Sequence, residues 1–313
     1  MPAELGVIPP GPVSRLGLAL SDIKVAHSVF ALPFAVLGAV FASPSARGEA
    51  GWDRLVGQAG LVVACMVFAR TWAMLVNRIA DWQFDRENPR TARRVIASGR
   101  LSEKHAVAIA FGFAGGFVAC CSLFWLFFQN PWPLVLSVPV LVWIAFYSFT
   151  KRFTALCHVF LGGALAASPL AAAIAVDPGF LFSAAGQGLW MLAGMVVCWV
   201  AGFDIAYALQ DLDFDRSRGL RSIPAALGVS GSLWVSRLLH VAALGLLVGF
   251  AFSDERLGAL TRAAAGLVAC LLVVEHVVLA RRGIAGLPMA FFTLNGVISV
   301  TIGTLASVDL IAG

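Results

Sequence analysis

Two groups of acidic residues, each spaced by four along the chain, are the residues in this sequence best suited to do chemistry. Asp81 and Asp85 form the first pair, and Asn77 lies four residues before Asp81. Asp211 and Asp215 form the second pair. Residues four apart share one face of an α-helix, so each group predicts a ridge of oxygen ligands. Such ligands suit Mg²⁺, which typically binds through one or two carboxylates together with the phosphates of a substrate.

The two groups belong to an internal repeat. Aligning the second pair on the first places Tyr207 opposite Asn77, and Asp204 extends the second ridge. Basic segments follow both copies and align roughly: RVIASGRL begins at Arg94, and RSIPAALG begins at Arg221. Two facing ridges could hold two Mg²⁺ ions around one pyrophosphate, and we expect the basic residues to donate to its oxygens. The basic residues with this expected role are Arg94, Lys151, Arg152 and Arg221.

The elements that must position these residues are membrane-spanning helices. The chain has 313 residues, 60% of them hydrophobic and 12% charged. We predict an all-α integral membrane protein with nine spans in one bundle, because the apolar runs have the length of a spanning helix and show no alternation. The predicted spans are 24–42, 56–80, 105–127, 132–149, 153–175, 188–210, 231–252, 258–279 and 289–311.

The distribution of basic residues predicts the orientation. One alternating set of connections carries most of them: the N-terminus, the 85–104 loop, Lys151 with Arg152, the 211–228 loop, and Arg281 with Arg282. Because basic residues are retained in the cytoplasm, this asymmetry predicts a cytoplasmic N-terminus and places both acidic groups at the cytoplasmic face. It also explains the net charge of +5, so no nucleic-acid partner is expected.

Residues 1–22 are expected to be a cytoplasmic segment and 23–313 a single membrane domain. The segment around Pro9, Pro10 and Pro12 has no basic region followed by a cleavable apolar stretch, which argues against a secretory signal. The six cysteines lack the spacing of a metal site and are expected to be packing residues.

The motifs resemble those of the UbiA superfamily of intramembrane aromatic prenyltransferases. The resemblance rests on NRIADWQFD, YSFTKRFT and DLDFDRSRGLRSIPAALG, and on the predicted nine-span layout. The opening IKVAHSVFALPFAVLGA is similar to the bacterial 4-hydroxybenzoate polyprenyltransferase-like branch, some members of which serve menaquinone synthesis by the futalosine route. One departure is Arg78, which stands where many members have a second acid.

The resemblance implies roles for the matched residues. It implies Mg²⁺ and prenyl pyrophosphate binding for Asn77, Asp81, Asp85, Asp211 and Asp215, and pyrophosphate contact for Lys151 in the turn after Tyr147. The implied reaction transfers a polyprenyl group from polyprenyl pyrophosphate to an aromatic acid in quinone biosynthesis, through an allylic carbocation. 4-Hydroxybenzoate is the first expectation for the acceptor and a related naphthoate the second. The implied location is the cytoplasmic (inner) membrane, with the site open to the cytoplasm and no obligate protein partner.

Several polar residues within the apolar runs leave alternatives open. Arg70 lies seven residues before Asn77 on the same helical face, about 10 Å deeper in the membrane. It could bind the carboxylate of the aromatic acid, pair with Asp204, or extend its guanidinium toward the membrane surface. His27 and Ser28 could contact the aromatic substrate or form a hydrogen bond between helices.

Two other functions remain alternatives. A membrane CDP-alcohol phosphotransferase also uses Mg²⁺ and aspartates, but it needs one compact acidic motif, whereas the acids here are split between two distant loops. A transporter with inverted repeats would place its polar residues near the bilayer midplane, whereas these crowd the surface.

Glu275 and His158 also lie within apolar runs. We expect a structural role for His158 and have no account of Glu275.

Overall fold

The computed structural model describes residues 12–23, 30–49 and 51–312, and throughout these ranges the regular structure is helical. The α-helices are α1 (Pro12–Ser21), α2 (Leu32–Ala42), α3 (Trp52–Glu87), α4 (Glu103–Phe128), α5 (Trp132–Thr150), α6 (Cys157–Val176), α7 (Gln187–Ala208), α8 (Leu212–Ser217), α9 (Ile223–Ala251), α10 (Ala259–Arg282) and α11 (Asn295–Ala312). The all-α class predicted from the sequence is confirmed for this part of the chain.

Eight helices in the described ranges are long and apolar enough to cross a membrane. They correspond to the second through ninth predicted spans. The first predicted span, 24–42, contributes only the 11-residue helix α2 to the described structure. Residues 24–29, which include His27 and Ser28, lie outside the described ranges. The count of nine spans and the cytoplasmic N-terminus therefore stay predictions.

The long helices form a closed ring in which each packs against the next along the chain. The order is α3, α4, α5, α6, α7, α9, α10 and α11, and α2 closes the ring between α11 and α3. α2 also packs against α6, and its side chains from Phe34 to Ala42 are largely buried. Its burial explains why a helix too short to span is uniformly apolar, since such helices occupy protein cores.

Helices α6 and α7 approach each other closely at a glycine. A Cβ atom on Gly162 of α6 would lie 2.5 Å from the carbonyl oxygen of Val197 in α7. Only glycine therefore permits this backbone approach, a common device at helix interfaces in membranes. The contact lies about one turn from His158 in α6 and about two turns from Asp204 in α7.

A buried polar link joins α7, α10 and α11 in the largest hydrophobic cluster. The indole of Trp199, which is fully buried, donates to Asn295 Oδ1 at 2.7 Å. Glu275 of α10 is 1% exposed and lies beside Asn295, and its Oε2 has no hydrogen-bond partner among the described residues. Glu275, for which sequence reasoning had no account, therefore lies in an interhelical contact.

Candidate active site

Both acidic motifs line one cavity of about 240 Å³, which we call the polar cavity. Because the two motifs share one cavity, they lie at the same end of the bundle, as the repeat predicts. The predicted site residues that line it are Asn77, Asp81, Asp85, Arg94, Tyr147, Lys151, Asp204, Tyr207, Asp211 and Asp215.

The first motif lies on α3, which continues as a helix to Glu87 and therefore keeps the predicted ridge. Asp81 is only 4% exposed. Its carboxylate lies 3.5 Å from Lys151 Nζ and 3.2 Å from Arg152 Nη2, and it accepts a hydrogen bond from Asn77 Nδ2 at 3.3 Å. Two cations from the turn after α5 thus compensate one buried carboxylate, as a buried charge requires.

Asp85 is buried one turn further along α3 and has its own cation. Arg94 Nη1 lies 2.6 Å from Asp85 Oδ1 and 2.8 Å from Oδ2. The hydroxyl of Thr91 donates to the backbone carbonyl of Asp85 at 3.1 Å, which fastens the loop after α3 against the helix end. Asp85 and Arg94 therefore lie at the same wall of the polar cavity.

The second motif does not form the single continuous ridge predicted from its spacing. α7 ends at Ala208, residues Leu209–Asp211 form a 3₁₀ turn, and the short helix α8 follows. The tighter 3₁₀ turn changes the rotation per residue, so the i, i+4 rule does not carry across it. The four second-motif residues nevertheless reach the polar cavity from these three elements.

Asp211 is held by residues of the first half of the chain. Arg90 Nε donates to Asp211 Oδ1 at 2.9 Å, and Asn88 Nδ2 donates to the same oxygen at 2.9 Å. The Arg90 guanidinium also lies 5.7 Å from the centre of the Tyr207 ring. Burial alone would lower the pKa of Arg90, but its hydrogen bonds to Asp211 raise it above its usual value. Arg90 therefore stays charged beside the cavity.

The remaining two carboxylates of the second half have neighbours on α6 and α9. Ser222 donates from Oγ to Asp215 Oδ2 at 3.0 Å and caps α9 by accepting from the amide of Ala225 at 3.2 Å. His158 Nδ1 lies 2.7 Å from Asp204 Oδ2. The alternative pairing of Arg70 with Asp204 is not formed, because Asp204 binds His158 instead.

Three residues expected to bind substrate are absent from the lining of the polar cavity: Arg152, which binds Asp81, together with Arg221 and Arg70. The guanidinium of Arg221 donates to the carbonyl oxygen of Phe153 at 2.7 Å, while its backbone amide donates to the carbonyl of Lys151 at 2.7 Å. Arg221 therefore braces the turn that carries Lys151. Arg70 lines a second cavity of about 290 Å³ with Tyr147. We call this the apolar cavity, since its lining comes mostly from apolar residues of α3, α4, α5 and α6.

Arg78, the departure from the family pattern, is turned into the bundle. Its Nη1 donates to Asn77 Oδ1 at 2.8 Å, and its Nε lies 3.8 Å from Asp22 Oδ2. Asp22, just after α1, also accepts from the backbone amide of Val95 at 3.0 Å. An arginine here thus orients the amide of Asn77 and ties the N-terminal helix to the loop that carries Arg94.

Sequence reasoning did not assign Asn88, Arg90, His158 or Ser222 to the site. Arg90 had been counted only as one of the basic residues that predict orientation, since nothing in the sequence pairs a loop residue with Asp211, 121 positions away. His158 lies within an apolar run, and no spacing in the sequence links it to the acidic motifs. Lys151 lies in the turn after α5 and His158 in the first turn of α6, so no continuous helix places the two on one face.

The chain matches the model of the UbiA prenyltransferase family over residues 31–297, and it belongs to this family. It is 31% identical over 246 residues to the 4-hydroxybenzoate octaprenyltransferase of Edwardsiella ictaluri (strain 93-146), a match covering 76% of this chain and 79% of that protein. It is 30% identical to the 4-hydroxybenzoate octaprenyltransferase of Paracidovorax citrulli (strain AAC00-1), covering 70% of each chain. The protein is therefore a prenyltransferase.

Solved structures share the fold. The apo structure of a UbiA homolog from Aeropyrum pernix K1 has a TM-score of 0.78 and 32% sequence identity, covering 92% of this chain and 99% of that one. A UbiA homolog from Archaeoglobus fulgidus bound to GPP and Mg²⁺ has a TM-score of 0.68 and 17% identity, covering 95% of this chain and 100% of that one. The latter likeness concerns the fold alone.

The chemistry of the donor set fits Mg²⁺. Four carboxylates and one amide at the positions predicted to bind metal line the polar cavity, and hard oxygen ligands are those that Mg²⁺ prefers. Within the described residues, no group of three or more acidic, histidine or cysteine side chains is assembled to hold an ion by itself. This arrangement matches an ion bound by one or two carboxylates and completed by substrate phosphates.

Proposed function

We propose that this protein transfers a polyprenyl group from polyprenyl pyrophosphate to an aromatic acid, 4-hydroxybenzoate or a related naphthoate, in quinone biosynthesis. The observation that carries the proposal is the junction of two unlike cavities. The polar cavity suits a pyrophosphate, the apolar cavity suits a hydrocarbon chain, and Tyr147 and Leu161 line both. A prenyl pyrophosphate has these two parts joined at one carbon. The names of the two bacterial relatives support the same donor and acceptor classes.

In the polar cavity, the four carboxylates at the predicted metal-binding positions would hold Mg²⁺, and the neighbouring cations would contact the phosphate oxygens. These carboxylates are Asp81, Asp85, Asp211 and Asp215. In this structure Asp85 binds Arg94, Asp211 binds Arg90 and Asp81 binds Lys151. Each of these cations can donate to phosphate as well as to carboxylate. When the pyrophosphate binds, the basic side chains would move from the carboxylates to the phosphate oxygens, and the carboxylates would bind Mg²⁺ instead. No buried charge would then be left unpaired.

Catalysis would then be electrostatic. Bound Mg²⁺ supplies a stabilising positive charge for the pyrophosphate as it departs. Arg90, Arg94 and Lys151 add to this stabilisation, and the apolar cavity keeps water from the allylic cation that forms. The carbon–oxygen bond to the pyrophosphate breaks first. The ring of the acceptor then attacks the allylic cation and loses a proton.

The location follows from the substrates and the charge asymmetry. A polyprenyl chain is a lipid, so its enzyme must lie in a membrane while its charged end reaches water. We propose that the protein lies in the cytoplasmic (inner) membrane, with residues 23–313 forming one domain and the polar cavity open to the cytoplasm. The basic loops around the acidic motifs support this orientation.

The test is direct observation of products by mass spectrometry. The purified protein in lipid nanodiscs would receive a long-chain prenyl pyrophosphate, Mg²⁺ and a panel of hydroxybenzoate and naphthoate acids, with Asp81→Asn as the inactive control. We expect a Mg²⁺-dependent prenylated acid and release of pyrophosphate. Donor binding without a product from any acid would show that the acceptor class is wrong, and absence of donor binding would overturn the proposal.

A further inference from the structure

The junction between the two cavities is where the reacting atoms must meet, and this inference rests on the function proposed above. With the pyrophosphate in the polar cavity and the hydrocarbon chain in the apolar cavity, the allylic carbon lies beside Tyr147 and Leu161, which line both. The aromatic ring must reach the same place, because carbon–carbon bond formation needs near contact of the reacting atoms. Polar groups around this junction are therefore candidates for holding the acceptor.

Two buried nitrogen atoms flank the junction and have no hydrogen-bond partner among the described residues. One is Nε of Arg70, on the apolar side, and the other is Nε2 of His158, on the polar side. His158 is 2% exposed and lies one helical turn before Leu161 on α6. An unsatisfied buried polar atom is destabilising and is uncommon in native proteins. A ligand with polar groups at both ends would satisfy both atoms.

Asp204 fixes the orientation of the His158 ring. The Asp204 carboxylate binds Nδ1 at 2.7 Å, so Nε2 is the ring nitrogen that has no hydrogen-bond partner among the described residues. A carboxylate on one ring nitrogen selects the tautomer and stabilises a positive charge on the imidazole, which makes the other nitrogen an effective proton acceptor. Asp204 comes from α7 and His158 from α6, the two helices brought together at Gly162.

We propose that Nε2 of His158 binds the ring hydroxyl of an aromatic acid whose carboxylate is held by Arg70, and that it holds the proton of this hydroxyl during the transfer. A hydroxyl opposite the carboxylate places one polar group at each end of the ring. The carbon next to the hydroxyl then lies at the junction, beside the allylic carbon of the donor. His158 is thus a catalytic residue, and Asp204 is a positioning residue acting through it.

The protons and electrons of this scheme balance. The hydroxyl proton moves to His158 Nε2, and the resulting phenolate oxygen increases the electron density of the ring. A ring electron pair forms the new carbon–carbon bond to the allylic carbon, whose bonding pair has left with the pyrophosphate oxygen. The ring carbon then gives its proton to the departing pyrophosphate, and aromaticity is restored. His158 finally returns its proton to the oxygen.

The test compares acceptors that differ in the acidity of the hydroxyl. His158→Gln keeps a hydrogen-bonding group of similar length but removes the proton acceptor. With 4-hydroxybenzoate we expect kcat to fall about 100-fold, a usual contribution of a positioned base, while the KM for the donor is unchanged. With 3-fluoro-4-hydroxybenzoate, whose hydroxyl ionises more readily and which retains one free carbon beside it, we expect the loss relative to the unsubstituted protein to be several times smaller.

Three further variants make the result specific. Asp204→Asn should show the same dependence on hydroxyl acidity, and it decides the question if His158→Gln does not fold. Arg70→Gln should raise the acceptor KM by the same factor for both acids. His240→Gln, a buried histidine outside both cavities, should leave the ratio between the two acids unchanged.

An equal loss with both acids in His158→Gln and Asp204→Asn, or a loss confined to the donor KM, would overturn the proposal while leaving the proposed function intact. Failure of the proposed function looks different, since the unsubstituted protein would then form no prenylated acid at all.

Discussion

The first acidic motif lies on one uninterrupted helix, whereas the second is divided among the end of α7, a 3₁₀ turn and the six-residue helix α8. In the first motif, both Asp81 and Asp85 are buried and each binds a cation directly. In the second motif, Asp215 is buried and binds a neutral hydroxyl. The repeat therefore preserves the acids without preserving the backbone that carries them.

One acid of the second motif has its partners in the first half of the chain. Asp211, in the second half, is held by Asn88 and Arg90 from the loop that follows the first motif. Asp81, in the first half, is held by Lys151 and Arg152 from the turn after α5, which also belongs to the first half. The second motif therefore depends on the first half for the cation that pairs with Asp211, which supports one shared site.

The largest losses of activity are expected when a single acid is removed from either motif. We expect Asp81→Asn and Asp211→Asn each to abolish measurable turnover, a loss of about 10³-fold or more, because each removes an anionic ligand that the metal-bound pyrophosphate requires. Pyrophosphate release and product formation should fall together. Asp213→Asn is the matched control, since Asp213 is exposed and absent from the cavity lining. Retained activity in either of the first two variants would show that one motif suffices.

The link between the halves can be cut with less damage at Arg90. Arg90→Gln keeps a polar side chain but loses the charge that binds Asp211, so we expect the donor KM to rise about 10-fold to 100-fold, the usual effect of a charged hydrogen bond. Steady-state kinetics with varied donor would measure it. Arg93→Gln, an exposed neighbour in the same loop, should leave the donor KM unchanged. Equal values for the two variants would mean that the loop acts only through its net charge.

The helices of this site were predictable, and the contacts between distant segments were not. The four-residue spacing of Asn77, Asp81 and Asp85 predicts their shared face because α3 is regular through Glu87. The same rule was wrong for the backbone after Ala208, where the 3₁₀ turn intervenes. No periodic pattern in the sequence indicates that turn.

The long-range partners depend on packing that spacing does not encode. His158 reaches Asp204 because Gly162 lets α6 approach α7, and sequence alone does not reveal which helices are neighbours. The first predicted span was also read from its apolar run alone. The 11-residue helix α2, which lies within that run, is buried among α3, α6 and α11, and such burial also favours apolar side chains.

A smaller effect is expected at Ser222, which serves both the site and the fold. Ser222→Ala removes the donor to Asp215 and the cap of α9 together. We expect kcat/KM to fall about tenfold and the free energy of unfolding to fall by about 1 kcal/mol, the usual values for a hydrogen bond to a charged group and for a helix cap. Thermal unfolding in detergent and kinetics would measure the two losses. Ser222→Thr keeps the hydroxyl and should restore both, whereas a stability loss without a kinetic one would assign Ser222 to the fold alone.

The sharpest comparison between the halves is the pair of arginines that the repeat aligns. Arg94 binds Asp85 at the cavity wall, whereas the guanidinium of Arg221 binds the carbonyl oxygen of Phe153. The repeat predicts equal losses for Arg94→Gln and Arg221→Gln, but the geometry predicts a large rise in donor KM for the first. For the second we expect a change within about threefold, since the Lys151 turn keeps its backbone hydrogen bond to residue 221. Equal and large effects would mean that Arg221 turns into the cavity when the donor binds.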